Sequence, residues 1–383
     1  MNTEPFRIEV TRELLRDLSD RLERTRWPDE IDGARWSYGV SPAYLRELVE
    51  YWRDSFDWRG QEERLNSYPQ FRATVEGAGI HFIQVRGRGP SPLPIVLTHG
   101  WPGSFVEMLK IVPLLADPAS HGGDPADAFD VVVPSLPGYG FSDRPRRPGM
   151  NAVAIAALWA RLMEGLGYGR FAAQGGDWGA SVTTWLGLAH HDRLAGIHLN
   201  YIPGSYSPWI GPGSASLTEA ERGFLMEAER WDQEEGGYAH LQRTRPQTAA
   251  FALNDSPVGL AAWIVEKFRD WSDCDGDVER RFTKDELLTN VMIYWITETI
   301  GSSSRLYFET RDAPVRLGRN QRVKAPCGVA RFPREAPFPP REWVERSYDV
   351  RRWTEMPRGG HFAAMEEPEL LAADLRDLFR PLR

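Results

Sequence analysis

The stretch 171-FAAQGGDWGA-180 is a short apolar run that ends in a glycine-rich turn and leads into a segment with helical spacing. Small residues around one central side chain, here Gly175, Gly176 and Gly179 around position 177, are the pattern of a nucleophile elbow, the sharp strand-to-helix turn that presents a reactive group. The central residue of such a turn is usually a serine; here it is Asp177. An aspartate between glycines is more often a plain turn residue. What surrounds it therefore decides the reading.

On either side the chain reads as alternating strands and helices. The runs 93-LPIVLTHG-100, 128-AFDVVVPSLPGYGFS-142 and 194-LAGIHLNY-201 are short and apolar, as buried parallel strands are, and 178-WGASVTTWLGLAHH-191 has helical spacing. This alternation predicts an α/β fold with a mostly parallel sheet covered by helices on both faces. The array is interrupted from about 203 to 310 by helical segments such as 258-VGLAAWIVEKFRDW-271 and 284-KDELLTNVMIYWITETI-300. Strand-like runs return at 321–333 and 348–357, and a helix over 366–382 closes the chain. Ahead of the array, Leu14, Leu15, Leu18 and Leu22 share one face of a helix within 10–30, and Ser41 with Pro42 predicts the N-cap and first position of a second. The run 71-FRATVEGAGIHFIQVRG-87 predicts a hairpin turning around Gly77-Ala78-Gly79. The expected organisation is an N-terminal helical meander with the first hairpin (1–90), a first part of the core (91–202), a helical lid inserted between late strands (203–310) and a second part of the core (311–383).

Bulk properties narrow the function classes. A formal charge of −8 gives no nucleic-acid or anionic-membrane footprint. The two cysteines, Cys274 and Cys327, are too few for a disulfide framework and lack metal-ligand spacing, so no metal is expected. The start, MNTEPFRIEV, has no apolar core of a signal, and no run of about 18 apolar residues occurs. A soluble, cytoplasmic chain with no membrane association is the expectation. Only Lys110, Lys267, Lys284 and Lys324 are lysines among 46 basic residues, the bias of a GC-rich, actinomycete-like genome.

Four stretches with reactive side chains fall at predicted strand ends, where open α/β sheets place their ligands: His99-Gly100-Trp101-Pro102, Asp177, Glu335 in 331-RFPREAP-337, and His361 in 359-GGHFAAME-366. Nucleophile, then acid, then histidine is the order expected of an α/β-hydrolase. Of the eight histidines, His361 is set apart by the glycines before it. His121, His190 and His191 read as solvated, His81, His198 and His240 as structural, and His99 as a residue that holds its loop. Asp312, Glu342, Glu345 and Asp349 compete with Glu335 as the acid. A carboxylate is anionic at neutral pH and needs no base in order to attack. It suits displacement at saturated carbon, which leaves the substrate esterified to Asp177. Water activated by His361, oriented by Glu335, must then attack that ester, so an oxyanion hole is needed. The backbone N–H groups of Trp101 and Trp178 are placed to form it. No cofactor is called for.

Several motifs resemble the microsomal-type epoxide hydrolases of the α/β-hydrolase fold: HGWPGS at 99–104, PSLPGYGFS at 134–142, QGGDWG at 174–179, NDSPVGLAAWIVEKF at 254–268, LLTNVMIYW at 287–295 and RGGHFAAMEEPELLA at 358–372. The resemblance covers nearly the whole chain and extends to an N-terminal domain. It implies that two lid tyrosines, Tyr238 in 237-GYAHLQRTRPQT-248 and Tyr307 in 304-SRLYFET-310, donate to the epoxide oxygen, and it supports Glu335, which follows Phe332-Pro333, as the acid. It implies epoxide and water as substrates, the epoxide aromatic or bulky and apolar given 15 tryptophans, and it admits a homodimer. In actinomycete-like genomes the family includes enzymes of enediyne antibiotic pathways. Two departures stand out: the anchor of mammalian members is missing, and Phe308 stands where a basic residue usually follows the tyrosine. The competing readings are a haloalkane dehalogenase, which shares the aspartate elbow and cradles halide with N–H groups, and a non-catalytic binder, which commonly loses the acid or the histidine.

Overall fold

In the computed structural model, which describes residues 1–383, the chain builds one nine-stranded sheet with helices on both faces and a helical lid over the carboxyl ends of its central strands. The N-terminal part carries strand β1 (Thr3–Pro5), helices α1 (Arg12–Glu23), α2 (Pro42–Asp54) and α3 (Trp58–Asn66), and the hairpin strands β2 (Gln70–Val75) and β3 (Ala78–Val85). There follow β4 (Leu93–Thr98), α4 (Ile111–Ala116), β5 (Phe129–Pro134), α5 (Ala152–Gly165), β6 (Phe171–Gly175), α6 (Asp177–Ala189) and β7 (Leu194–Leu199). The lid comprises α7 (Glu219–Glu235), α8 (Gly237–Thr244), α9 (Pro246–Leu253), α10 (Pro257–Asp270), α11 (Lys284–Thr297) and α12 (Ile300–Thr310). The sheet then resumes with β8 (Val323–Arg331), α13 (Arg341–Glu345), β9 (Tyr348–Glu355), α14 (Ala363–Glu366) and α15 (Pro368–Phe379).

Strand order is β1-β2-β3-β5-β4-β6-β7-β8-β9, antiparallel through β1, β2, β3 and β5 and parallel from β5 onward. The chain leaves β4 on one side for β5 and returns on the other for β6, so the carboxyl ends of β4 and β6 flank a topological switch point. The register sets Thr98 beside Gly175, which brings the loop after β4 against the turn after β6. Ser41 caps α2 by accepting from the Tyr44 N–H, with Pro42 at its first position.

Three details differ from the sequence reading. The hairpin turns at Glu76-Gly77, both at positive φ, because Val75 pairs with Ala78; the turn therefore lies ahead of Ala78 and Gly79. β1 and α3 have no counterpart in that reading. β1 is a three-residue edge strand, too short to show alternation, and α3 includes Gly60 among mostly polar residues. The segment 203–218 precedes the first lid helix as coil, with Ser207 bridged to Arg316. No helix is long and apolar enough to cross a membrane.

Candidate active site

The turn after β6 forces its central residue into an unusual conformation. Asp177 has φ 46°, the left-handed region that a non-glycine residue enters at a cost on the order of 1–3 kcal/mol. The surrounding packing holds it there. A Cβ on Gly179 would sit 1.9 Å from the Thr98 carbonyl oxygen, and one on Gly100 would sit 2.3 Å from Asp177 Oδ1. Glycine is thus sterically required on both sides of the carboxylate. The Trp101 N–H donates to Asp177 Oδ1 at 2.8 Å. The Trp178 N–H lies in the first turn of α6, where no intrahelical acceptor exists.

The loop carrying Trp101 is tied down from two sides. His99 is fully buried, and burial holds its ring pKa down to about 4, so the ring is neutral. Its Nδ1–H donates to Gly100 O at 3.0 Å, while Nε2 accepts from the Leu136 N–H. From the lid, Asn290 Nδ2 donates to Pro102 O, the Ser104 hydroxyl donates to Asn290 Oδ1, and the Tyr294 hydroxyl donates to Gly103 O. None of these lid anchors was singled out from the sequence. Their signal is two polar side chains one turn apart in the apolar run of α11.

Opposite Asp177 stands His361, whose backbone N–H donates to Trp271 O. Its Nε2 lies 3.6 Å from Asp177 Oδ2 and its Nδ1 is 2.7 Å from Glu335 Oε1, which also accepts from the Ala336 N–H. Glu335 thus meets the histidine; Asp349, Glu345 and Glu342 do not. Burial disfavours the imidazolium, but the charges and hydrogen bonds of Glu335 and Asp177 outweigh it and hold the His361 pKa well above its ordinary value. Glu107 is a further buried carboxyl beside this group. Burial pushes it up to about 8, against the pull of His361. Outside the centre, His198 is buried against Asp374, whereas His240 is exposed on α8, a correction to its expected structural role.

The lid contributes an aromatic wall. Tyr238 stacks on Trp101 with ring centroids 5.2 Å apart, and Tyr307 meets the Trp178 ring edge-on at 4.7 Å. The two tyrosine rings are 5.9 Å apart. Burial first, with the Asp177 charge adding, raises both phenols well above the ordinary tyrosine pKa, so both remain hydroxyl donors. One turn from each tyrosine, the Ser304 hydroxyl donates to Gln242 Oε1 at 2.6 Å in a buried contact that joins α8 to α12. The buried Lys267 ammonium lies 5.0 Å from the Tyr238 ring centroid. The indole N–H groups of Trp101 and Trp178 are buried without a hydrogen-bond partner. Asp177, Trp178, Tyr238 and Tyr307 together line a cavity of about 430 Å³. No group of three or more His, Cys, Asp or Glu side chains is arranged to hold a metal ion.

Comparison with known proteins gives a consistent picture. A family model described as epoxide hydrolase N terminus matches residues 3–108, and one described as alpha/beta hydrolase fold matches residues 94–298. Epoxide hydrolase 1 of Oryctolagus cuniculus is 42% identical, over 97% of this chain and 87% of its own. A Stigmatella aurantiaca chain provisionally named an epoxide hydrolase is 48% identical, over 99% of this chain and 85% of its own. The solved structure of Aspergillus niger epoxide hydrolase superposes with a TM-score of 0.87 at 32% identity, covering 100% of this chain and 97% of that one.

Proposed function

The chain belongs to the epoxide hydrolase family, on an α/β-hydrolase core, and from that premise we propose how its residues divide the addition of water to an epoxide. Asp177 Oδ2 attacks a ring carbon while Oδ1 stays on the Trp101 N–H. The ring oxygen leaves as an alkoxide that takes a proton through Tyr238 and Tyr307. Opening the ring creates charge on that oxygen, so phenol hydrogen bonds strengthen as the reaction proceeds, which is what lowers a barrier. The product of this step is an alkyl ester of Asp177.

Esterification also changes His361. With the Asp177 charge gone, the imidazolium keeps only Glu335 as an anionic partner and its pKa falls. The proton it gives up, by way of solvent, makes good the one the alkoxide drew through the phenols, and the neutral ring becomes available as a base. It takes a proton from water, and the hydroxide attacks Cγ of Asp177. Charge gathers on Oδ1 at the Trp101 N–H, with the Trp178 N–H as the second donor. Collapse releases the diol, which carries away Oδ2, and His361 returns the proton to it. The water's second proton, left on the new Asp177 carboxyl, passes to His361 and restores the starting carboxylate and imidazolium. The substrate body is apolar or aromatic, in keeping with the aromatic wall.

The observation that carries this reading is His361 lying between two carboxylates, one of them on a strained elbow below two buried phenols. The unpartnered indole N–H groups of Trp101 and Trp178 favour a second reading, a halide cradle. Against it stand the paired hydroxyl donors, which serve an alkoxide, and the epoxide hydrolases among the relatives. His361→Gln tests the route. Its intact mass should rise by one substrate mass, on the peptide bearing Asp177. A mass that never shifts with a substrate the wild type turns over contradicts the covalent step, and a wild type that opens no epoxide but releases halide from a haloalkane moves the assignment to a dehalogenase.

A further inference from the structure

Resting on the epoxide-hydrolase reading above, we propose that the substrate carries an anionic group, a carboxylate in the simplest case, on its apolar body, and that Arg243, Arg311 and Arg316 receive it at the open end of the cavity. The cavity is lined by Asp177, the two lid tyrosines, aromatic side chains such as Tyr206, Trp231 and Trp343, and these three arginines, whose exposure marks where it meets solvent. Both tyrosine-bearing helices deliver an arginine to that end. On α12, Tyr307 and Thr310, and Arg311 as its C-cap, line the cavity at the three- and four-residue spacing of one helix face, which sets Arg311 about 6 Å along the axis from Tyr307. On α8, Ala239 and Arg243 do the same beyond Tyr238. Arg316 joins them from the segment after the lid, held by its bridge to Ser207.

The charge balance there is unlike that of the rest of the molecule. The chain carries −8 overall, yet apart from Asp177 at the inner end the only carboxylate lining this cavity is Asp232. Arg243 and Arg316 make no ion pair, and the single anionic partner of Arg311 is its neighbour Asp312, itself 85% exposed, while its guanidinium lies over the Phe308 ring 3.6 Å from the centroid. A wholly apolar substrate gains nothing from three guanidinium heads at the mouth. A carboxylate on the far side of an aromatic ring meets planar forks that bind it bidentately, in a cleft that concentrates their field. Because the arginines are exposed, the effect is modest and screened by salt.

The test compares two probes with the intact protein: the epoxide of para-vinylphenylacetate and its methyl ester. The readout is the ratio of kcat/KM, acid over ester, within each variant. The wild type should favour the acid by about tenfold at low ionic strength, and the ratio should fall toward one at about 0.5 M salt. In the variant combining Arg243→Gln, Arg311→Gln and Arg316→Gln the ratio should be near one without added salt. A wild-type ratio of one or below, or a ratio the triple variant leaves unchanged, overturns the proposal. Opening of the epoxide ring keeps the two readings apart: a flat ratio with the epoxide of both probes converted to diol breaks only this one, whereas a wild type that opens the epoxide of neither probe breaks the epoxide-hydrolase reading itself.

Discussion

The two walls of the active site are held in place by different physics. On the sheet side, Asp177, the 99–104 loop, Glu335 and His361 sit at strand ends, and their positions follow from backbone geometry. A glycine meets a carbonyl, a carboxylate meets an N–H, and Thr98 is in register with Gly175. On the lid side, Tyr238 and Tyr307 are positioned by ring contacts with Trp101, Trp178 and each other, and by one buried hydrogen bond between Ser304 and Gln242. Steric exclusion leaves one arrangement, whereas aromatic packing leaves a family of nearby ones. Changes on the sheet side should therefore act all-or-none, and changes on the lid side should be graded.

The largest effect is expected at the elbow. Asp177→Ala should lower diol formation by about 10⁴-fold or more because the nucleophile is gone, while the protein keeps its fold because Gly175, Gly176 and Gly179, which shape the turn, remain. Steady-state turnover within tenfold of wild type would erase the contrast between the walls. Tyr238→Phe and Tyr307→Phe should each slow ester formation by about 10²-fold and ester hydrolysis much less, read from stopped-flow traces of the two phases. A larger loss in the second phase would move these phenols out of their proposed role. The smallest change is spectroscopic. In the free protein the His361 ring should titrate well above its ordinary value, and Asp177→Asn should bring that pKa down by removing one anionic partner. The base-competent neutral form is then present to lower pH in the neutralised variant than in the free enzyme. An NMR titration that places the two at the same pKa would show that Asp177 does not hold the proton on His361.

The same division explains what was legible in the sequence. The sheet side was readable because its demands are local. The glycines around Asp177, the Gly-Gly before His361 and the cap at Ser41 each act within a few residues of chain. Tyr238 and Tyr307 came from family resemblance alone, since nothing near them in sequence separates them from the other ten tyrosines. Asn290 and Tyr294, which anchor the loop more than 180 residues away, and Gln242, which meets Ser304 across 62 residues, act through contacts that no local pattern encodes. The misplaced hairpin turn has the opposite cause. Gly77-Ala78-Gly79 reads as the natural break, but Glu76 accepts a positive φ, and Ala78 and Gly79 are drawn into the ladder with β2.

The most direct test of the central claim is a single turnover in water enriched in heavy oxygen, with protein in excess over epoxide. If Asp177 supplies the atom that attacks the ring, the diol from that first cycle contains no solvent oxygen, and the label is found in the Asp177 carboxylate. A first-cycle diol that carries solvent oxygen, with Asp177 unlabelled, would mean that water attacks the epoxide itself, and the aspartate elbow would need another explanation.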